Sequence, residues 1–176
     1  MTDYAALFGE MHPRFFEKKE IRRLPPERVF EEMVLDLRAA EPPVTGDGDG
    51  VRFGFYAGDL DALRREVGRV DEGWPELYRP EREIYCAWAG ERVASFCLVE
   101  DMGVHGGLRV GGPGCVGTVP EFRRRGIGLA MVGNVTRILK DRGFDLSYIH
   151  FTGVAGWYAK LGYRTVLRWN ARGMLD

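Results

Sequence analysis

The residues with the most chemical content lie between 117 and 132, GTVPEFRRRGIGLAMV, where three arginines run into Gly126-Ile127-Gly128 and a helical pattern begins. The N–H groups of a helix's first turn have no partner inside the helix, and the aligned peptide dipoles add partial positive charge there. Glycines let a ligand come close to that backbone, so a pyrophosphate is the natural guest. Arg123, Arg124 and Arg125 raise the local potential, and a guanidinium can contact phosphate oxygens directly. The plainer alternative is a solvated turn with a charged face. The Gly-x-x-x-x-Gly-Lys-Ser/Thr loop and the Gly-x-Gly-x-x-Gly fingerprint are both absent.

Other reactive residues give less. Cys86, Cys97 and Cys115 sit in apolar segments without Cys-x-x-Cys spacing, and read as buried free thiols of a reducing compartment. TGDGDG, residues 45–50, lacks the later oxygen ligands and the closing Glu of a calcium loop, and reads as a linker. No metal is expected. Formal net charge is −1, which argues against a general nucleic-acid binder. No apolar leader segment and no membrane-length apolar run is found, so the expected location is cytoplasmic.

Around the arginines, the 176 residues suit one domain, and 45% hydrophobic content supplies a core. Helices are expected over residues 4–10 and around 15–22. ERVFEEMVLDLR, 27–38, places Val29, Phe30, Met33, Val34 and Leu37 on one stripe at helical spacing. VRFGFYAG reads as a strand, and DLDALRREVGRV as a helix capped by Asp59. EIYCAWAG and RVASFCLVE form a hairpin turning at Gly90-Glu91; GGLRVGGPG is a glycine-rich loop; CVGTV is a short strand stopped by Pro120. A helix is expected from Ile127 to Arg142, then a strand DLSYIHF, a short helix closed by Gly162, and a last strand YRTVLRW. Alternating strands and helices imply a mixed α/β sheet.

TVPEFRRRGIGLAMV resembles the acetyl-CoA-binding motif of the GNAT-type N-acetyltransferase superfamily, Arg/Gln-x-x-Gly-x-Gly/Ala, here Arg123 to Gly128. WYAKLGYRTV, 157–166, is similar to the family's second signature and follows at the expected distance, one helix and one strand on. The resemblance covers residues 51–172. It implies an α/β (α+β) fold with a mixed, mostly antiparallel central sheet flanked by helices and splayed at the acetyl-CoA site. We expect a single acetyltransferase domain over 1–176, with 1–50 a helical N-terminal extension and 51–176 the core.

The resemblance further implies transfer of an acetyl group from the CoA thioester to a primary amine by direct attack. It places pantetheine along Val116, Gly117 and Thr118, and pyrophosphate on Arg123, Arg124, Arg125, Gly126, Ile127, Gly128 and Leu129. It makes Tyr158 the general acid that protonates the leaving thiolate. No Glu occupies the usual position of the base; Glu100 and Asp101 at the end of a strand and His150 are the candidates, and water-mediated deprotonation is a third route. The Asn that many relatives carry near the second signature is replaced by Thr152-Gly153. Relatives place two strands after the tyrosine helix, whereas this chain has room for one long strand or two very short ones. The sheet edge is therefore expected to be covered by the helical N-terminus or by a second subunit in a homodimer. The alternative function is a non-catalytic acyl-CoA-binding or sensor protein. The partners expected are acetyl-CoA and an amine acceptor, with no nucleic acid and no membrane.

Overall fold

A computed structural model describes residues 2–42 and 50–175. The linker expected at 45–50 lies, apart from Gly50, outside the described residues. Helix α1, Tyr4–Met11, is capped by the Asp3 carboxylate, which accepts from the N–H groups of Ala5 and Ala6. A 3₁₀ turn, Phe15–Glu17, and the short helix α2, Lys19–Arg22, complete the helical start. Strand β1 is Phe30–Asp36, and β2 is Val51–Phe55. Helix α3, Leu60–Gly68, is capped by Asp59 as expected, and buries Leu63 and Val67. Strands β3, Glu83–Ala89, and β4, Arg92–His105, form the expected hairpin, and β5 is Leu108–Thr118. Then follow helix α4, Ile127–Asp141; strand β6, Leu146–Thr152; helix α5, Ala155–Tyr158; and strands β7, Arg164–Asn170, and β8, Gly173–Leu175.

The sheet order is β2-β3-β4-β5-β6-β1-β7-β8. All pairings are antiparallel except β5 with β6. This is the mixed, mostly antiparallel sheet that was expected.

Three expectations are corrected. The segment 27–38 is not a helix: β1 is a strand inside the sheet, pairing with β6 on one side and β7 on the other. Its side chains alternate, Met33 and Leu35 towards the α4 side and Val34 towards Leu7 of α1. Both faces are covered, so the consecutive residues Met33, Val34 and Leu35 are all apolar and buried, and with Phe30 they mimic a helical stripe. The first fifty residues are therefore more than a helical extension. The N-terminus also does not merely cover a sheet edge; it inserts a strand between β6 and β7, while the end of the chain forms the β7–β8 hairpin.

Third, the glycine-rich stretch 106–114 is not a loop beyond its tight Gly106-Gly107 turn, but most of β5. The missing side chains are what let it pack. A Cβ at Gly111 would strike the Phe144 ring at 2.7 Å, and one at Gly112 would lie 2.0 Å from the Tyr148 carbonyl oxygen. Glycine here serves close approach of neighbouring elements rather than a turn.

Candidate functional site

β5 and β6 share only two paired positions, Val110 with Leu146 and Gly111 with Ser147. Gly112 still packs against the Tyr148 carbonyl, and the ladder between the two strands ends before it. β5 also carries a bulge: Phe96 faces Gly117 and Leu98 faces Gly114, so Cys115 and Val116 together oppose Cys97. Cys115 adopts a left-handed φ of 47° there. Past the bulge, β5 is held by Ser95, whose hydroxyl donates to the Gly117 carbonyl (2.6 Å) and lies 3.0 Å from Thr118 Oγ1.

The arginine loop follows. Pro120–Phe122 form a 3₁₀ turn. Glu121 is gripped by Arg69 (2.7 Å) and Arg92 (3.1 Å), and these bonds, Arg69's first, hold its carboxyl down at about 2. Arg123 Nε donates to the Thr118 carbonyl (3.0 Å). Arg124 (φ 60°) and Gly126 (φ 76°) are both left-handed, a geometry that turns backbone N–H groups towards one concavity. Gly126 opens α4 with no side-chain cap, and the first intrahelical bond runs from Ala130 N to Gly126 O (3.0 Å). The N–H groups of Ile127, Gly128 and Leu129 have no partner within the helix.

These donors border a cavity of ≈ 430 Å³. Its walls include Val116 and Thr118 of β5, Arg123 and Arg124, the first turn of α4 from Gly126 to Leu129, and Val154, Trp157 and Tyr158. No carboxylate lines it. The structure thus brings together Val116, Thr118, Arg123, Arg124, Gly126, Ile127, Gly128, Leu129 and Tyr158. Gly117 and Arg125 do not line the cavity. Gly117 lies against Phe96, where a Cβ would meet the ring at 2.4 Å, and Arg125 lies over the Phe122 ring at 5.7 Å. A cationic hollow at an uncapped helix start, without competing carboxylates, fits a pyrophosphate.

Tyr158 lines the same cavity. Its ring meets Trp157 edge-on (4.8 Å, 86°), and Gly162 (φ 89°) closes the turn behind it. Burial, with a smaller contribution from Tyr163, pushes its phenol upward, so it stays protonated. Its hydroxyl has no hydrogen-bond partner among the described residues and is free to donate. Tyr163 behind it is fixed by Ser147 (2.6 Å) and Thr136 (2.8 Å), which ties α4 to β6. Trp157, Phe122 and Val154 were not expected as site residues. Trp157 was visible as the aromatic that starts the second signature; Phe122 and Val154 carried no signal.

No candidate base lines the cavity. Glu100 is ion-paired with Arg82, and its carboxyl covers Gly114. His150 stands on β6 beyond the last residue paired to β5, with Nδ1 2.9 Å from Oε2 of Glu32, a fully buried residue of β1. The His12 ring stacks on it at 4.0 Å. Desolvation, followed by His150, lowers His12 to about 3. The three thiols are poor nucleophiles: burial raises Cys86 and Cys115 to about 12, and Cys97 well above its ordinary value. Among the described residues, no group of three or more His, Cys, Asp or Glu is placed to hold a metal ion, and no helix is long and apolar enough to cross a membrane.

No protein-family model and no curated protein matches the sequence. Solved structures do. A fungal multi-domain GH3 β-N-acetylglucosaminidase with a GCN5-related glucosamine N-acetyltransferase region superposes with a TM-score of 0.70 at 21% identity, over 84% of this chain and 21% of that one. A GCN5-related N-acetyltransferase from Sphaerobacter thermophilus gives 0.64 at 22% identity, over 82% and 50%. Another from Kribbella flavida gives 0.60 at 17%, over 81% and 56%. The chain thus spans little more than half, or less, of the length of these chains.

Proposed function

Starting from a chain with the fold of the GCN5-related N-acetyltransferases, we propose that this protein is an acetyl-CoA-dependent N-acetyltransferase, one domain acting on a primary amine. The observation that carries the reading is the single cavity in which an uncapped, arginine-flanked helix start faces a buried tyrosine whose hydroxyl is unpaired. Free thiols of high pKa suit a reducing, cytoplasmic setting.

Acetyl-CoA supplies the activated acyl group. The N–H groups of Gly126 to Leu129, with Arg123 and Arg124, hold its pyrophosphate, and Arg125 adds potential from outside. The unpaired edge of β5 at Val116, Gly117 and Thr118 offers backbone groups to pantetheine, and the bulge gives an N–H for the oxygen that gains charge during attack. Tyr158 protonates the departing sulfur. His150 takes the amine proton, since Glu100 is engaged with Arg82.

The test is calorimetric titration with acetyl-CoA, followed by thiol release with a panel of amines that includes glucosamine, a substrate suggested by the fungal region, and a lysine peptide. We expect binding in the micromolar range. Tyr158→Phe should lower kcat by about 10²-fold while leaving acetyl-CoA affinity within about twofold. Absence of binding up to millimolar acetyl-CoA overturns the reading. Binding without thiol release across a broad panel identifies a non-catalytic acyl-CoA-binding protein instead.

A further inference from the structure

We infer that Glu32 is a positioning residue that makes His150 a base by fixing its tautomer. This rests on the acetyltransferase reading. Glu32 is 0% exposed, yet two N–H groups and one imidazole nitrogen converge on its carboxylate. Oε1 accepts from Trp169 Nε1 (2.7 Å) and from the Phe151 backbone (3.2 Å), and Oε2 faces His150 Nδ1 (2.9 Å). Indole and peptide N–H groups can only donate, so Oε1 is an acceptor twice over. An ionised Glu32 accepts at Oε2 as well. Nδ1 must therefore carry a hydrogen, and in the neutral ring the lone pair is on Nε2.

The surroundings suit this role. The His150 side chain keeps 26% of its exposure while its partner has none, so one end of the pair is wet and the other dry. It stands three residues past Ser147, the last β6 residue paired to β5, where the ladder between the two strands has ended. The next residue, Phe151, is held at a left-handed φ of 59°, and its N–H is one of the two that Oε1 of Glu32 accepts. A strained non-glycine beside a buried carboxylate is a costly arrangement that persists only where its surroundings enforce it. Against the ring stand Glu32 on β1 and His12 after α1, with Lys18 and His105 beyond His12, while Tyr148 on the same strand faces Glu32. His12 stays neutral across the working range and adds no charge of its own. In the reaction the acceptor's proton passes to Nε2, the imidazolium is balanced by Glu32, and the proton leaves to solvent from the exposed edge.

Glu32→Gln tests it. The amide oxygen stays with the two donors, Trp169 and Phe151, so the NH₂ turns towards Nδ1. That nitrogen must then accept, and the hydrogen moves to Nε2. The sequence holds three histidines, so ¹⁵N-histidine NMR resolves each ring with the help of His12→Gln and His105→Gln spectra. In the wild type we expect His150 as the Nδ1–H tautomer when neutral; in Glu32→Gln, as Nε2–H. Turnover, read as thiol release with the most active amine of the panel, should fall about 10²-fold in kcat and lose its rise with pH. The Kd for acetyl-CoA should stay within about twofold, and His150→Ala in the Gln variant should cost nothing further. A wild-type His150 that is neutral as Nε2–H overturns the inference even if the Gln variant does not fold, as does a folded Gln variant with unchanged kcat. A wild type that binds no acetyl-CoA instead overturns the enzyme reading, and this inference with it.

Discussion

Replacing Gly128 with alanine places a Cβ 2.7 Å from Thr118 Oγ1 and 3.5 Å from the Trp157 ring. Thr118 cannot swing away freely, because its hydroxyl sits 3.0 Å from that of Ser95, which is itself bonded to the Gly117 carbonyl. Ordinary contact asks for roughly 3.5 Å, so helix start and strand end must part by about 0.8 Å. Overpacking of that size costs about 1–3 kcal/mol, and with about 2–4 °C per kcal/mol in a chain of this size, Tm should drop by about 2–12 °C. The same displacement moves the end of β5 away from the cradle, and we expect acetyl-CoA affinity to fall about tenfold. Thr118→Ala removes the obstructing oxygen at the cost of its bond to Ser95, about 1 kcal/mol. Combined with Gly128→Ala it should recover about 1–2 kcal/mol relative to the sum of the single variants. Differential scanning calorimetry and acetyl-CoA titration on the four proteins complete the cycle. A Gly128→Ala variant that melts within about 1 °C of wild type refutes the steric argument. Recovery of stability without recovery of affinity shows instead that the Cβ obstructs the ligand itself.

Leu139 is fully buried on α4, and Leu139→Ala should cost about 2–5 kcal/mol in urea denaturation; a loss below about 1 kcal/mol would place it outside the core. His12 is held at about 3 against an ordinary 6.5, so the unfolded chain binds its proton first as pH falls. Stability should therefore decline from about pH 6.5 towards pH 3, by about 2 kcal/mol once partial solvation is allowed for. His12→Gln should flatten that slope, and parallel decline in variant and wild type would refute the assignment.

The sequence was most legible where one physical signal dominated. The Asp59 cap with Leu63 and Val67, the Gly90-Glu91 hairpin, and α4 with its arginine approach each carried turn chemistry and periodicity that agreed. The uncapped start of α4 that borders the cavity was legible because it needs only glycine before a helical pattern. β1 was hidden because a strand covered on both faces loses its alternation, and the helical reading left Glu32 out of the apolar stripe. That concealed the carboxylate beneath His150. β5 was hidden because glycine signals a turn far more often than close packing, and nothing local announces that Phe144 and Tyr148 will press against it.

The insertion of β1 between β6 and β7 also sets a schedule. Glu31 pairs with Thr152, and Phe30 with Trp169, more than a hundred residues later in the chain. A ribosome delivers β1 more than a hundred residues before its two neighbours, so this strand must wait unpaired while β2 to β5 are made. Pairings of such separation are slow to form, because the loop must close before the contacts reward it. The half of the sheet that carries His150 is thus completed only after β6 and β7 have emerged, and until then Glu32 waits for its histidine.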